Sequence, residues 1–206
     1  MKKSFLIMVA LIFFTTFAFA GGDQNQNRHD GELGEGPTQQ GRIANPNIDA
    51  LQVGQLDAAL KDLIYSIYEE EKVAKDVYIT LGKLYPDENT FANIQLSEQS
   101  HMDAVEKLCV KYGIEIPEGE LVDVGDFSIE AMEILYDDYV ERGQVSLEEA
   151  LQVGILIEEI DIKDLAVPIV ADGMPKDAIR VFNNLLNGSL NHLDAFTAAS
   201  NREALQ

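Results

Sequence analysis

Glu98-Gln-Ser-His101 sets a carboxylate and an imidazole one helical turn apart inside an otherwise apolar row, Phe91, Ile94, Glu98, His101, Val105, Leu108, Tyr112. Turning that row inward buries both groups. A buried carboxylate costs several kcal/mol, roughly, unless something pairs with it. A metal ion is one such partner, and Glu-x-x-His on an inward helix face is how helical bundles ligate pairs of metals. The motif is short, so its weight depends on matching donors elsewhere in the chain.

Three further helical rows supply them. Leu60, Ile64, Ile67, Glu71, Ala74, Tyr78, Leu81 carries one acid, and the neighbouring row Leu63, Ile67, Glu70, Ala74, Val77 offers Glu70 instead. Periodicity alone does not choose between these two glutamates. Leu147, Leu151, Gly154, Glu158, Asp161, Leu165 holds two acids a turn apart, with Glu159 rotated a further 100° or so away. Ala178, Phe182, Leu185, Ser189, His192, Phe196 holds a histidine and a serine. The candidate metal ligands are therefore Glu71, Glu98, His101, Glu158, Asp161 and His192. A mixed carboxylate/imidazole set suits a first-row transition metal, with iron, manganese, copper and zinc all compatible by ligand type. The competing reading is a metal-free core whose acids take up protons or pair with the two histidines.

The elements that must position these groups are all helices. The first is expected from Asp57 to Tyr85, ending at Pro86, and the second from Asn89 or Thr90 to Tyr112, with Gly113 closing it. A short helix from Ser128 to Arg142, facing inward through Met132, Leu135, Tyr136 and Tyr139, carries no ligand-like residue on that row. Ser146-Leu-Glu-Glu149 forms a capping box for the third long helix, which Pro168 and Gly173 are expected to break. Pro175 fits the first turn of the last. The fold class is all-α. The connection between the second and third long helices, about thirty residues, is long enough to cross a bundle.

The ends of the chain carry other information. Lys2 and Lys3, the apolar run Phe5 to Phe19 and Ala18-Phe19-Ala20 read as a cleavable export signal over 1–20. Residues 21–47, rich in Gly, Gln, Asn and Pro, read as a disordered tether in which His29 is solvated. The folded domain is expected over 48–196, with a frayed tail over 197–206. The expected localisation is periplasmic or extracellular. The formal charge is −21, and loss of the two leader lysines makes it more negative still. Such a surface repels nucleic acid and anionic membranes. The single cysteine, Cys109, leaves no internal disulfide and reads as a packing residue. Tyr65, Tyr68, Tyr78 and Tyr112 read as amphipathic core. No nucleophilic triad, phosphate loop or basic patch is present, and association of copies through the bundle surface stays open.

Glu69-Glu-Glu-Lys-Val-Ala-Lys-Asp-Val-Tyr78, Ser97-Glu-Gln-Ser-His-Met102, Ala150-Leu-Gln-Val-Gly154, Ile157-Glu-Glu-Ile-Asp-Ile-Lys-Asp-Leu165 and Asn187-Gly-Ser-Leu-Asn-His-Leu193 resemble the ferritin-like superfamily, and more closely its DUF2202 group, over roughly 56–196. The resemblance implies a ferritin-like four-helix bundle with one long crossover containing the short extra helix, and a candidate di-iron site. The spacing Glu71, Ala74, Tyr78 is similar to the first helix of rubrerythrins, which favours Glu71 over Glu70. One departure stands out. The resemblance implies Glu-x-x-His on two helices, whereas the last helix here has Ser189-Leu-Asn-His192. Asp161 is a substitute donor, or the site holds a single metal. Three function classes follow: an oxidoreductase acting on dioxygen or peroxide, a metal-handling protein without turnover, and a metal-free interaction bundle with a protonated polar core.

Overall fold

The computed structural model describes residues 56–117, 119 and 121–205; the expected leader and tether lie outside them. Five helices and, among the described residues, no strands make up the domain: α1 Ala58–Leu84, α2 Asn89–Tyr112, α3 Glu130–Gly143, α4 Leu147–Val170 and α5 Lys176–Glu203. None of these helices is long and apolar enough to cross a membrane.

Local chemistry fixes most of the ends. Asp57 Oδ1 accepts from Leu60 N at 2.8 Å and starts α1, while Tyr85, restricted by Pro86, ends it. Gly113 takes the left-handed conformation at φ 61°, and Ile114 N returns to Cys109 O at 2.8 Å to close α2. Ser146 Oγ accepts from Glu149 N at 3.1 Å, yet the Glu149 carboxylate does not complete the expected capping box. It takes Arg142 Nε at 3.0 Å instead.

Three expectations need correction. Pro168 does not end α4, which runs two residues further, to Val170. Lacking an N–H, Pro168 gives up one bond to the carbonyl four residues before it, and its ring is buried. Pro175 stands at the N-cap of α5 rather than inside its first turn. Residues 197–203 are helical rather than a frayed tail, because the apolar row continues through Phe196 to Ala199, both buried.

Packing follows from the connections. The short turns at 85–88 and 171–175 make antiparallel pairs of α1 with α2 and of α4 with α5. The pairs meet through α1 with α4 and α2 with α5, and α3 lies against α1 and α4. The interior falls into two apolar clusters. One gathers Val77, Leu81, Phe91, Leu151, Ile157 and Phe196. The other gathers Ile64, Ile67, Val105, Leu108, Phe182 and Leu185. Between them along every long helix sits a polar residue: Glu71, Glu98 with His101, Glu158 with Asp161, and Ser189 with His192.

Candidate metal centre

All six predicted ligands are buried, with Glu71, Glu98 and Glu158 at most 2% exposed. Glu98 occupies the middle. Its Oε2 lies 2.7 Å from His101 Nδ1 and its Oε1 lies 2.7 Å from His192 Nδ1. Glu71 Oε2 reaches His101 Nδ1 at 3.0 Å, and Glu158 Oε2 approaches His192 Nδ1 at 3.5 Å. The imidazole rings tilt together with centroids 5.3 Å apart. One carboxylate thus spans two imidazoles, each backed by a second carboxylate. Ligand atoms of Glu98, His101 and His192 all lie within 4.8 Å of one another.

Distance alone does not satisfy these atoms. Both Glu98 oxygens, Glu158 Oε2, Asp161 Oδ2 and His192 Nδ1 are buried without a properly directed hydrogen bond. Buried orphans of this kind are uncommon, and each calls for a proton, a water or an ion. His192 shows what orients it: Nε2 meets Ser97 Oγ at 2.9 Å. If that contact uses the ring N–H, Nδ1 presents a lone pair to the carboxylates, the usual arrangement of a metal-ligating imidazole. Tyr78, fully buried, donates its hydroxyl to Glu158 Oε1 at 2.7 Å and leaves Oε2 free to face His192. Donor types, orphaned atoms and outer supports therefore fit a first-row metal.

Electrostatics in the metal-free site follow from crowding. Burial pushes Glu71 up to about 8 and Glu158 up to about 7, and raises Asp161 well above the usual carboxylate range, with the Glu71 charge adding to it. Glu98 goes the other way. Burial opposes its ionisation, but the two flanking imidazoles overcome that and hold it at about 2. Burial likewise disfavours charge on the histidines, and their carboxylate neighbours outweigh it, raising His101 to about 10 and His192 to about 9.

Comparison with known proteins gives the chain a family without adding an activity. Residues 60–204 match the uncharacterized protein domain DUF2202. The chain belongs to the DUF2202 family. An uncharacterized protein of Methanocaldococcus jannaschii is 42% identical over 141 residues, covering 68% of this chain and 75% of its own. A crystal structure of a hypothetical protein from that organism is similar at 39% identity with a TM-score of 0.68, covering 72% of this chain and 83% of the other.

Within this DUF2202 domain, the rejected sequence candidates sit apart. Glu159 is exposed, and Glu70 is only partly buried and makes no hydrogen bond or ion pair with either histidine, which Glu71 reaches instead. Ser189 is buried but turns its hydroxyl to Leu185 O at 3.2 Å, so it supplies no replacement for a carboxylate. Asp161 lies beside Glu71, Glu158 and Glu98 without a hydrogen bond or ion pair to any of them.

Other residues escaped sequence reasoning. Gly188 is one: a Cβ there would overlap His101 Nε2, so the backbone of α5 makes room for the ring. A second polar network on α1 is another. Glu69 accepts from Ile129 N at 3.0 Å, Ser128 N at 3.2 Å and Tyr65 OH at 2.6 Å, satisfying the start of α3. Lys72 pairs with Asp76, donates to Asp123 O at 2.9 Å and lies 4.8 Å from the centre of the Phe127 ring. Asp76 also accepts from Gly125 N at 3.1 Å. The signal available was Lys72 and Asp76 at i and i+4, next to Glu69 in the middle of a long helix.

Proposed function

We propose that this domain is a ferritin-like four-helix bundle of α1, α2, α4 and α5, with α3 in the long crossover, holding one or two transition-metal ions, iron foremost. Glu71, Glu98, His101, Glu158 and His192 would be the ligands, with Glu98 between the two imidazoles and Asp161 adding negative charge beside them. The observation that carries this reading is the layer of buried, unpartnered donor atoms between two apolar clusters.

The role that suits such a centre is metal-dependent redox protection or metal handling. A bound ion of this class supplies one-electron exchange with dioxygen or peroxide. The chain's own residues do the rest. The aromatic group of Tyr78, Phe91 and Phe196, with centroids 4.9 Å apart for Tyr78 and Phe196, excludes water from one side. Tyr78 holds Glu158 through its Oε1, Ser97 holds His192 through Nε2, and Glu98 ties the two imidazole sides together. The leader expected over 1–20 would place this chemistry outside the cytoplasm.

The test is metal content by mass spectrometry on the leaderless chain, purified without chelator and reloaded anaerobically with Fe(II), Mn(II), Cu(II) or Zn(II). A Glu98→Ala/His101→Ala variant runs beside it. The expected result is about one or two ions per chain, absent from the variant. A well-folded wild type that takes up no stoichiometric metal would overturn the proposal and leave a protonated structural network. Consumption of oxygen or peroxide by the loaded protein would then separate turnover from storage.

A further inference from the structure

The interior of α5 carries a glycine that its backbone does not require. Gly188 lies near the middle of Lys176–Glu203, and it is not one of the glycines held at positive φ. Alanine is the better helix former at such a position, since glycine gives up more backbone freedom on folding. What excludes a larger residue is the ring of His101 on α2. A Cβ at Gly188 would stand 2.4 Å from His101 Nε2, 2.6 Å from Cε1 and 3.7 Å from Cδ2, its three nearest neighbours beyond the adjoining residues of α5. Of the described glycines, Gly188 is the one whose Cβ would strike a predicted ligand. At Gly82, Gly143 and Gly154 the nearest neighbour is an apolar side chain, Phe91, Leu81 and Phe196 in turn.

His101 is therefore gripped from two sides. Its Nδ1 lies 2.7 Å from Glu98 Oε2 and 3.0 Å from Glu71 Oε2, and its opposite edge sits against the α5 backbone. His192 has a matching arrangement. Its Nδ1 lies 2.7 Å from Glu98 Oε1, while its Nε2 meets Ser97 Oγ of α2 at 2.9 Å. Each of the two helices thus carries one imidazole and supplies the support of the other's. The supports differ in kind, a hydroxyl in one case and a missing side chain in the other. An added methyl at Gly188 would force the His101 ring off α5, and any rotation that clears the overlap carries Nδ1 away from the two carboxylates.

We propose that Gly188 is a positioning residue: by lacking a side chain it seats the His101 ring with Nδ1 toward Glu71 and Glu98, and so selects Nδ1 as the atom that His101 offers to a metal ion. This inference rests on the metal-centre reading above. Without that seat, His192 is left as the one nitrogen donor, and loss of an orienting support of this kind weakens metal binding about ten- to a hundredfold.

The experiment uses the chain with isotope-labelled histidine, loaded with Zn(II), and reads the state of each ring nitrogen by long-range proton–nitrogen NMR. The His101 signals are assigned by their absence from His101→Ala. In wild type its Nδ1 should be zinc-bound and its Nε2 protonated. In Gly188→Ala the zinc-bound signal of His101 should disappear while His192 keeps its own, and Zn(II) affinity should fall about ten- to a hundredfold in competition titrations. Gly143→Ala, which presses on Leu81 at the end of α3, should bind Zn(II) with wild-type affinity whatever it does to the melting temperature. Melting of the metal-free protein gives a second reading. Gly188→Ala should lower the melting temperature of wild type and raise that of His101→Ala, where the ring is gone and the helix preference alone remains. A shift of the same sign in both backgrounds overturns the proposal and leaves the centre standing. So does a Gly188→Ala protein in which His101 stays zinc-bound, or a wild type in which His101 binds through Nε2. Wild type with zinc on neither histidine overturns the centre itself and this inference with it. If Gly188→Ala alone does not fold, recovery of the fold in Gly188→Ala/His101→Ala supports the seat, and failure to recover overturns it.

Discussion

Helix α1 buries charge on two faces, and the two faces are finished differently. Toward α3, Glu69, Lys72 and Asp76 are at most 1% exposed, and nearly every donor and acceptor among them meets a protein partner. Toward α2, α4 and α5, Glu71 joins a cluster in which five buried donor or acceptor atoms lack a well-directed hydrogen bond, although imidazoles lie 2.7 Å from both Glu98 oxygens. Burial is equal and satisfaction is not. The first network is nearly complete with this chain's atoms alone, Asp76 Oδ1 having only Lys75 Nζ at 3.6 Å, so it reads as a latch that ties the 121–129 segment to α1. The second is complete only with protons or a cation added.

The sharpest way to break the comparison is to remove one partner from the finished face. Lys72→Met leaves buried Asp76 with only Lys75, 3.6 Å from its other oxygen, and should cost about 3 kcal/mol, the lower end for a broken buried pair, in urea unfolding of the metal-free domain. Adding Asp76→Leu should recover much of that loss, since a well-packed apolar pair often matches a buried ion pair. Metal should not rescue Lys72→Met. A loss below about 1 kcal/mol would mean that the network is not a latch.

The unfinished face should respond in the opposite sense. Glu71 and Glu158 are pushed up to about 8 and about 7, so each carries a proton for much of the time at neutral pH. Glu71→Gln and Glu158→Gln should therefore change metal-free stability by less than about 1 kcal/mol. Each should weaken metal binding by about a hundredfold, close to 2.8 kcal/mol, in anaerobic titration. Equal losses of stability on both faces would erase the distinction between them.

A pH series sharpens the same contrast. Glu71, Glu158, Asp161, His101 and His192 all hold protons more tightly than their ordinary values of 4.5, 3.8 and 6.5 imply. The stability they contribute is fully present below those values and is lost as pH rises through the folded ones. For the four groups with assigned values, the loss runs from about 7 for Glu158 to about 10 for His101. Glu98 has the opposite sign, contributing above 4.5 and losing its contribution only as pH falls toward about 2. Metal-free melting temperature should thus decline from about pH 5 to pH 10, and the part below about pH 8 should flatten in Glu71→Gln/Glu158→Gln. Metal binding displaces these protons, so the stabilisation it adds should grow over the same interval.

The sequence made the unfinished face readable and hid the finished one, for a physical reason. Glu98, His101, Glu158, Asp161 and His192 interrupt rows that are otherwise apolar, and a charge in such a row stands out. Asp57, Pro86, Gly113 and Ser146 mark helix ends through local chemistry, so those boundaries fall within a residue or two of expectation. Glu69, Lys72 and Asp76 lie off the inward row and look like a solvated face until α3 and its preceding segment cover them. That covering is a long-range contact with no local signature. Gly188 was hidden for a related reason, because its role is visible only when His101 of another helix arrives beside it.

The smallest predicted effect concerns the support of a ligand rather than the ligand itself. Ser97 is partly buried, and its hydroxyl meets His192 Nε2 at 2.9 Å while Nδ1 faces Glu98. Removing that hydroxyl frees the ring to rotate and to place its proton on either nitrogen, so a fraction of the population no longer offers Nδ1 as a donor. Ser97→Ala should weaken metal binding about tenfold, near 1.4 kcal/mol, the lower end for a lost outer hydrogen bond. Unfolding of the metal-free form should change by less than about 1 kcal/mol, because water can replace the hydroxyl at this depth. Ser97→Thr keeps the oxygen and should restore affinity. If alanine and threonine bind metal alike, the serine does not orient His192, and the imidazole must be held by Glu98 and Glu158 alone.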